Sequence, residues 1–171
     1  MAFILVPAEE KDIEEIMKIE EACFIPSIQE TKAVFLSRMR KNTFLLFIDE
    51  NENIAGYISA EFIEKIPSKK EEIALNHLPA EKNSPYIYIS SFAIHPSYQG
   101  SGLGKIFWKM ACEEFFKIPG VETLVLLVNS EWKGALHIYE KSGFETISVF
   151  EDFFPCEDGK FSDGILMAKN I

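Results

Sequence analysis

The stretch Ser90-Ser91-Phe92-Ala93-Ile94-His95-Pro96-Ser97-Tyr98-Gln99-Gly100-Ser101-Gly102-Leu103-Gly104-Lys105 constrains this chain more than any other. Strand-forming residues up to Ile94 give way to a turn with glycines at 100, 102 and 104. The segment Gly102 to Lys117 then places Leu103, Ile106, Phe107, Met110 and Ala111 on one helical face. Glycines let the backbone turn sharply and let a ligand approach its N–H groups closely. A helix start adds unpaired donors and the positive end of a dipole. Together these make an anion site suited to a diphosphate. A P-loop would end in Gly-Lys-Ser/Thr, and Gly-x-Gly-x-Gly is close to, but not, the dinucleotide pattern Gly-x-Gly-x-x-Gly. A dinucleotide fold would also carry its motif early, inside a βαβ unit. On pattern alone, a glycine-rich turn that binds nothing is the alternative.

Around this turn the chain reads as alternating strands and helices. Phe3 to Val6 is a first strand, and Pro7, Glu9, Glu10 and Asp12 favour a helix start carrying Ile13, Ile16 and Met17 and ending near Pro26. Ser27 is the expected cap of a second helix with Val34, Phe35 and Met39. Thr43 to Ile48 and Ile54 to Ile63 read as strands about a polar turn. Residues 65–84 are charged and punctuated by proline, and a flexible excursion or a short irregular helix is expected there. Tyr86 to Ile94 is a strand, and the apolar Val121 to Val128 is a buried one. Gly134 to Ser142 is a short helix stopped by Gly143, and Phe144 to Phe150 is a strand. An acidic, aromatic loop and a last strand, Ile165 to Ala168, complete the chain. The expectation is one mixed α/β (α+β) domain over residues 1–171.

Charge and cysteine content narrow the function classes. A net charge of −10 disfavours nucleic acid and suits either solubility or a cationic ligand. Cys23, Cys112 and Cys156 form no CxxC pair, so reduced thiols and a cytoplasmic location are expected. The apolar run Phe3 to Val6 is too short for a signal peptide, and no stretch reaches membrane-spanning length. His77, His95 and His137 do not have metal-site spacing, so no metal is expected.

Two segments carry a family resemblance. Gln99-Gly100-Ser101-Gly102-Leu103-Gly104 resembles the Gln/Arg-x-x-Gly-x-Gly/Ala signature of the GNAT superfamily of N-acetyltransferases, preceded by Phe92-Ala93-Ile94-His95-Pro96, which looks like its usual strand ending. Ala135-Leu136-His137-Ile138-Tyr139-Glu140-Lys141-Ser142-Gly143-Phe144 is similar to its second hallmark, Ala-x-x-x-Tyr-Glu-Lys-x-Gly-Phe. The resemblance implies a central sheet of six or seven strands, splayed between the fourth and fifth, and acetyl-CoA as co-substrate. Phe92, Ala93 and Ile94 would pair with the pantetheine arm. The amides of Gln99, Gly100, Ser101, Gly102, Leu103 and Gly104, with Lys105 nearby, would hold the diphosphate. Tyr139 would be the general acid, since a phenol with a pKa of about 10 can protonate a leaving thiolate. Trp132 stands where many members have asparagine, and Asn129 is the residue that would reach the cofactor instead.

The base and the acceptor are less defined. Ile73-Ala74-Leu75-Asn76-His77 and Ile87 to His95 resemble the arylalkylamine N-acetyltransferase branch, in which two histidines relay the amine proton. Tyr88 and Ser90 occupy the matching positions, and neither is a base near neutral pH. Glu61, on the strand Ile54 to Ile63, is the candidate carboxylate base, with a solvated strand glutamate as the alternative. Residues 65–84 and 150–164 are candidate acceptor walls. The second holds Glu151, Asp152, Phe153, Phe154, Glu157 and Asp158, which suit an amine through charge and cation–π contact. The resulting expectation is acetyl transfer to a small primary amine, by a monomer or homodimer. The alternatives are a protein N-terminal or lysine acetyltransferase, a coenzyme A-binding regulatory domain without turnover, and a dinucleotide-binding domain.

Overall fold

The computed structural model describes residues 2–39, 43–74 and 84–171. The strands are β1 (Phe3–Pro7), β2 (Phe44–Asp49), β3 (Ile54–Ile63), β4 (Tyr86–Ile94), β5 (Thr123–Asn129), β6 (Glu145–Pro155) and β7 (Phe161–Asn170). The helices are α1 (Ile13–Cys23), α2 (Lys32–Met39), α3 (Lys70–Ala74), α4 (Leu103–Lys117) and α5 (Lys133–Lys141). Hydrogen bonding orders the strands β1-β2-β3-β4-β5-β7-β6. The mixed α/β class and the seven-stranded sheet agree with the expectation. The chain separates into two compact units, Met1–Ala60 with Ser90–Glu113, and Glu61–Ile89 with Glu114–Ile171.

In the first unit, β1, β2 and β3 form an antiparallel meander, with Phe3 opposite Asp49 and Phe44 opposite Ser59. Helix α1 buries Ile13, Ile16 and Ile19 at helical spacing. They join Phe35, Phe44 and Tyr57 in one core cluster. Phe35 meets Phe44 edge to face at 5.5 Å, and Phe47 stacks on Phe107 at 4.6 Å. Burying an isoleucine or a phenylalanine side chain is worth roughly 1.5–3 kcal/mol, so the α1 isoleucines and these aromatics contribute on the same scale. Ser27 does not cap α2. Pro26–Ile28 forms a separate 3-10 turn that exits extended at Gln29. The helix starts later, where Thr31 Oγ1 accepts the Val34 N–H at 3.3 Å.

In the second unit, β4 and β5 are parallel. Their register runs from Tyr86 opposite Thr123 to Ile89 opposite Leu126, and each strand continues beyond that pairing. β5 lies antiparallel to β7, and β7 to β6. Residues 150–164, expected as a loop, are instead mostly strand. The alternation is hidden by register shifts at Thr146/Ser148 and Phe150/Phe154. Asp152 sits at φ +50°, and its N–H donates to Asp163 Oδ1 at 3.1 Å. The hairpin closes through Cys156 N–H to the Lys160 carbonyl at 2.8 Å. Within 65–84, Lys70–Ala74 forms a short helix, one of the two expected forms, and residues 75–83, with His77, lie outside the described residues.

Candidate functional site

The glycine turn lies in the first unit. β4 ends at Ile94, His95 N–H donates to the Ala55 carbonyl at 2.8 Å, and His95 Nδ1 accepts the Ser97 N–H at 3.0 Å. His95 therefore caps a short 3-10 turn, Pro96–Tyr98, a structural role. Gly100 and Gly102 then adopt φ +82° and +79°, the left-handed region open to glycine at little cost. A Cβ on either would meet nothing within 4 Å, so the backbone faces open space. Leu103 begins α4 directly afterwards, and the first amides of a helix have no intrahelical partner. Glycine geometry, helix start and exposed Lys105 fit a diphosphate. The Gln99 amide is committed to the Pro96 carbonyl at 3.3 Å, which removes it from the expected set of diphosphate donors.

The Gln99 side chain has a separate task. Its Nε2 donates to the Ile94 carbonyl at 2.8 Å, and Cys23 Sγ donates to the same oxygen at 3.3 Å. Phe92 is half-buried, with its ring 5.2 Å from Phe107 and 5.1 Å from Trp108, while Ala93 is buried. Gly56 is a requirement that the sequence reading missed. A Cβ there would lie 2.6 Å from the Ala93 carbonyl oxygen, so only glycine lets β3 approach the end of β4.

A buried polar network also escaped the sequence. Glu20, fully buried on α1, accepts the Tyr57 hydroxyl at 2.7 Å. Burial lifts its carboxyl to about 7, helped by the Glu30 charge and opposed by the Tyr57 hydrogen bond and Arg38. Burial and the Glu20 carboxylate push the Tyr57 phenol well above its usual range, so it stays a donor. Arg38 pairs with Glu30 at 2.6 Å and reaches Ser59 Oγ at 3.2 Å, and burial together with Glu20 raises the Cys23 thiol.

A carboxyl raised by folding stabilises the native state most below its unfolded pKa. That contribution, on the order of 3 kcal/mol at most, fades as pH climbs from about 4.5 through about 7. Glu20→Gln is accordingly expected to flatten the fall in Tm between pH 5 and pH 8. An unchanged slope would show that Glu20 does not titrate in this window.

The second unit holds the other expected residues. Tyr139, on α5, is 8% exposed, and its backbone carbonyl accepts the Phe144 N–H at 3.0 Å. The Gly143 stop, at φ +97°, brings the Phe144 ring to 6.3 Å from Tyr139. Asn129, at the end of β5 and 5% exposed, accepts the Glu131 N–H at 2.9 Å and the Ser162 hydroxyl at 2.7 Å on Oδ1. Both donors fix the amide orientation, which turns Nδ2 away from them. Glu61 is 9% exposed, so it is not the solvated glutamate that alternation allowed. Tyr88 is buried and Ser90 half-buried, while His137 is exposed. In the β6–β7 hairpin, Phe154 lies 5.7 Å from Trp132 and 4.9 Å from Phe153. Lys70 Nζ donates to the Asp152 carbonyl at 3.0 Å and lies 6.0 Å from the Phe153 ring centre. Among the described residues, no group of three or more His, Cys, Asp or Glu is placed to hold a metal ion, and no helix is long and apolar enough to cross a membrane.

Comparison with known proteins bears on these features. The sequence profile of the acetyltransferase (GNAT) family matches residues 13–144. The [ribosomal protein bS18]-alanine N-acetyltransferase of Escherichia coli K12 is 35% identical over 81 residues, 47% of this chain and 53% of that protein. The spermidine N(1)-acetyltransferase of the same organism is 35% identical over 75 residues, 43% of this chain and 39% of that protein. The chain thus spans about half the length, or less, of these curated relatives. Among solved structures, the Escherichia coli ribosomal-protein-S18-alanine N-acetyltransferase matches with TM-score 0.76 at 21% identity, over 99% of this chain and 94% of that one. The GphF GNAT-like decarboxylase in complex with isobutyryl-CoA matches with TM-score 0.80 at 13% identity, over 98% of each. At such identities these likenesses speak to the fold.

Proposed function

This chain belongs to the acetyltransferase (GNAT) family, and from that premise we propose that it is an acetyl-CoA-dependent N-acetyltransferase acting on a primary amine. The observation that carries the proposal is the pair Gly100 and Gly102, left-handed and open, at the N-terminus of α4. The amides of Gly100 to Gly104 bind the diphosphate, Lys105 adds a positive charge, and the edge of Phe92, Ala93 and Ile94 receives the pantetheine arm. Acetyl-CoA supplies an acyl group activated as a thioester. The acceptor nitrogen bonds to the acyl carbon, the carbon–sulfur bond breaks, and the ammonium formed must lose a proton. Tyr139 gives its hydroxyl proton to the leaving sulfur, and Glu61 takes the proton of the amine. Asn129, fixed through its oxygen, offers Nδ2 to the cofactor.

Two acceptor classes have support. A small amine, aryl, alkyl or polyamine-like, suits the aromatic and acidic β6–β7 hairpin, where the Lys70 ammonium already meets a carbonyl and a ring. A peptide α-amine is supported by the match to the bS18-alanine enzyme. Thiol release from acetyl-CoA, measured across alkylamines, arylalkylamines, polyamines and peptides with free or blocked N-termini, separates them. Turnover of small amines is the expected result. Turnover confined to peptides with free N-termini would transfer the reading to the second class. Tight coenzyme A binding with no turnover of any amine would leave a regulatory domain and overturn the proposal.

A further inference from the structure

The β2–β3 turn carries a carboxylate that catalysis does not use. Asp49, at the end of β2, is 6% exposed. Oδ1 accepts the N–H groups of Asn51 and Asn53, both at 2.9 Å. Oδ2 accepts Asn53 Nδ2 at 3.1 Å and, from a distant part of the chain, the Tyr98 hydroxyl at 2.8 Å. Three of these donors belong to the turn itself and are what an Asx-type hairpin turn needs. The fourth is not local. Burial alone would raise the Asp49 carboxyl, but the hydrogen bonds from Asn53, Tyr98 and Asn51 outweigh it and bring it down to about 2. The bond to Tyr98 is therefore charge-assisted at any working pH.

Tyr98 is held at both ends. Its N–H donates to the His95 carbonyl at 2.8 Å, and its carbonyl accepts Ser101 Oγ at 3.0 Å. Its ring meets Phe3 edge on at 6.0 Å and His95 at 5.9 Å. Phe3 in turn pairs with Asp49 across β1–β2. The residue that enters the glycine turn is thus fixed through its backbone to that turn and through its phenol to the hydrogen-bonded β2–β3 hairpin. With both oxygens saturated by donors, Asp49 is poorly suited to contact a ligand itself, least of all an anion.

We propose that Asp49 and Tyr98 are positioning residues that hold the glycine turn in its anion-binding shape. The inference rests on the reading of Gly100 to Gly104 as the diphosphate cradle. A turn that samples other shapes when free must be ordered on binding, and that ordering weakens affinity. Loss of the tether should therefore weaken cofactor binding, whereas loss of a donor within the hairpin turn should cost stability alone.

Calorimetric titration of the full chain with coenzyme A tests this. Tyr98→Phe removes only the hydroxyl and keeps the ring contacts. It is expected to raise the Kd roughly three- to tenfold, a part of what one charge-assisted hydrogen bond is worth. Asn53→Ala removes a donor to the same Asp49 oxygen while sparing the tether, and is expected to leave the Kd unchanged even if Tm falls. In a double-mutant cycle with Asp49→Asn, Tyr98→Phe should have less effect than in the wild type. An unchanged Kd for Tyr98→Phe, an equal rise for Asn53→Ala, or strict additivity in the cycle would each overturn the inference and leave the cradle standing. Failure of the wild type to bind coenzyme A would overturn both.

Discussion

Gly102→Val is expected to weaken acetyl-CoA binding by about a hundredfold or more. A β-branched residue at φ +79° is strained by roughly 1–3 kcal/mol, and the turn relieves that strain by leaving its shape. The new side chain would also enter the open space beside the backbone, where nothing now lies within 4 Å, and that is the space an approaching diphosphate needs. Strain alone is not specific, so the control is Gly120→Val. Gly120 has φ +87° and equally open surroundings, but follows α4 at its other end. It should cost similar stability and leave acetyl-CoA affinity intact. Equal loss of affinity in both variants would mean that general destabilisation, and not the cradle, is being read. Undiminished affinity in Gly102→Val would place the cofactor elsewhere.

Tyr139→Phe is expected to lower turnover about 10²- to 10⁴-fold, the range typical of a lost general acid, with acetyl-CoA affinity nearly unchanged. The substitution deletes one oxygen from a side chain that is 8% exposed on α5 and keeps its ring packing near Phe144. A buried aromatic with no chemical role would show the opposite pattern, with full turnover and a small loss of Tm. Turnover within twofold of wild type on a verified acceptor would remove Tyr139 from the mechanism. A matching loss of acetyl-CoA affinity would make it a binding group instead of an acid.

What the sequence revealed follows from the range over which each feature is encoded. The glycine turn is local: Gly100, Gly102 and the start of α4 lie within a few residues, so spacing alone announces them. The helix carrying Tyr139 is legible for the same reason, because Gly143 stops it at φ +97°. Gly56 was not legible, since the atom that forbids a side chain there is the Ala93 carbonyl oxygen, far away in sequence. Glu20 and Tyr57, or Asp49 and Tyr98, are 37 and 49 residues apart and meet only in the folded chain, so no local pattern announces either pair. Phe144 to Phe150 and Ile165 to Ala168 read correctly as strands, but the stretch between them reads as a loop because the register shift at Phe150/Phe154 breaks the two-residue alternation and Glu151, Asp152, Glu157 and Asp158 make it acidic. The start of α2 was misplaced because Pro26 favours a short turn of its own before the helix.

The cradle at Gly100 to Gly104 is the claim on which cofactor, chemistry and tether all depend. Isothermal titration of folded wild-type protein with acetyl-CoA tests it most directly. Saturable binding of one acetyl-CoA per chain is expected, suppressed by Gly102→Val and preserved in Gly120→Val. Absence of any heat of binding from protein with a cooperative thermal transition would contradict it.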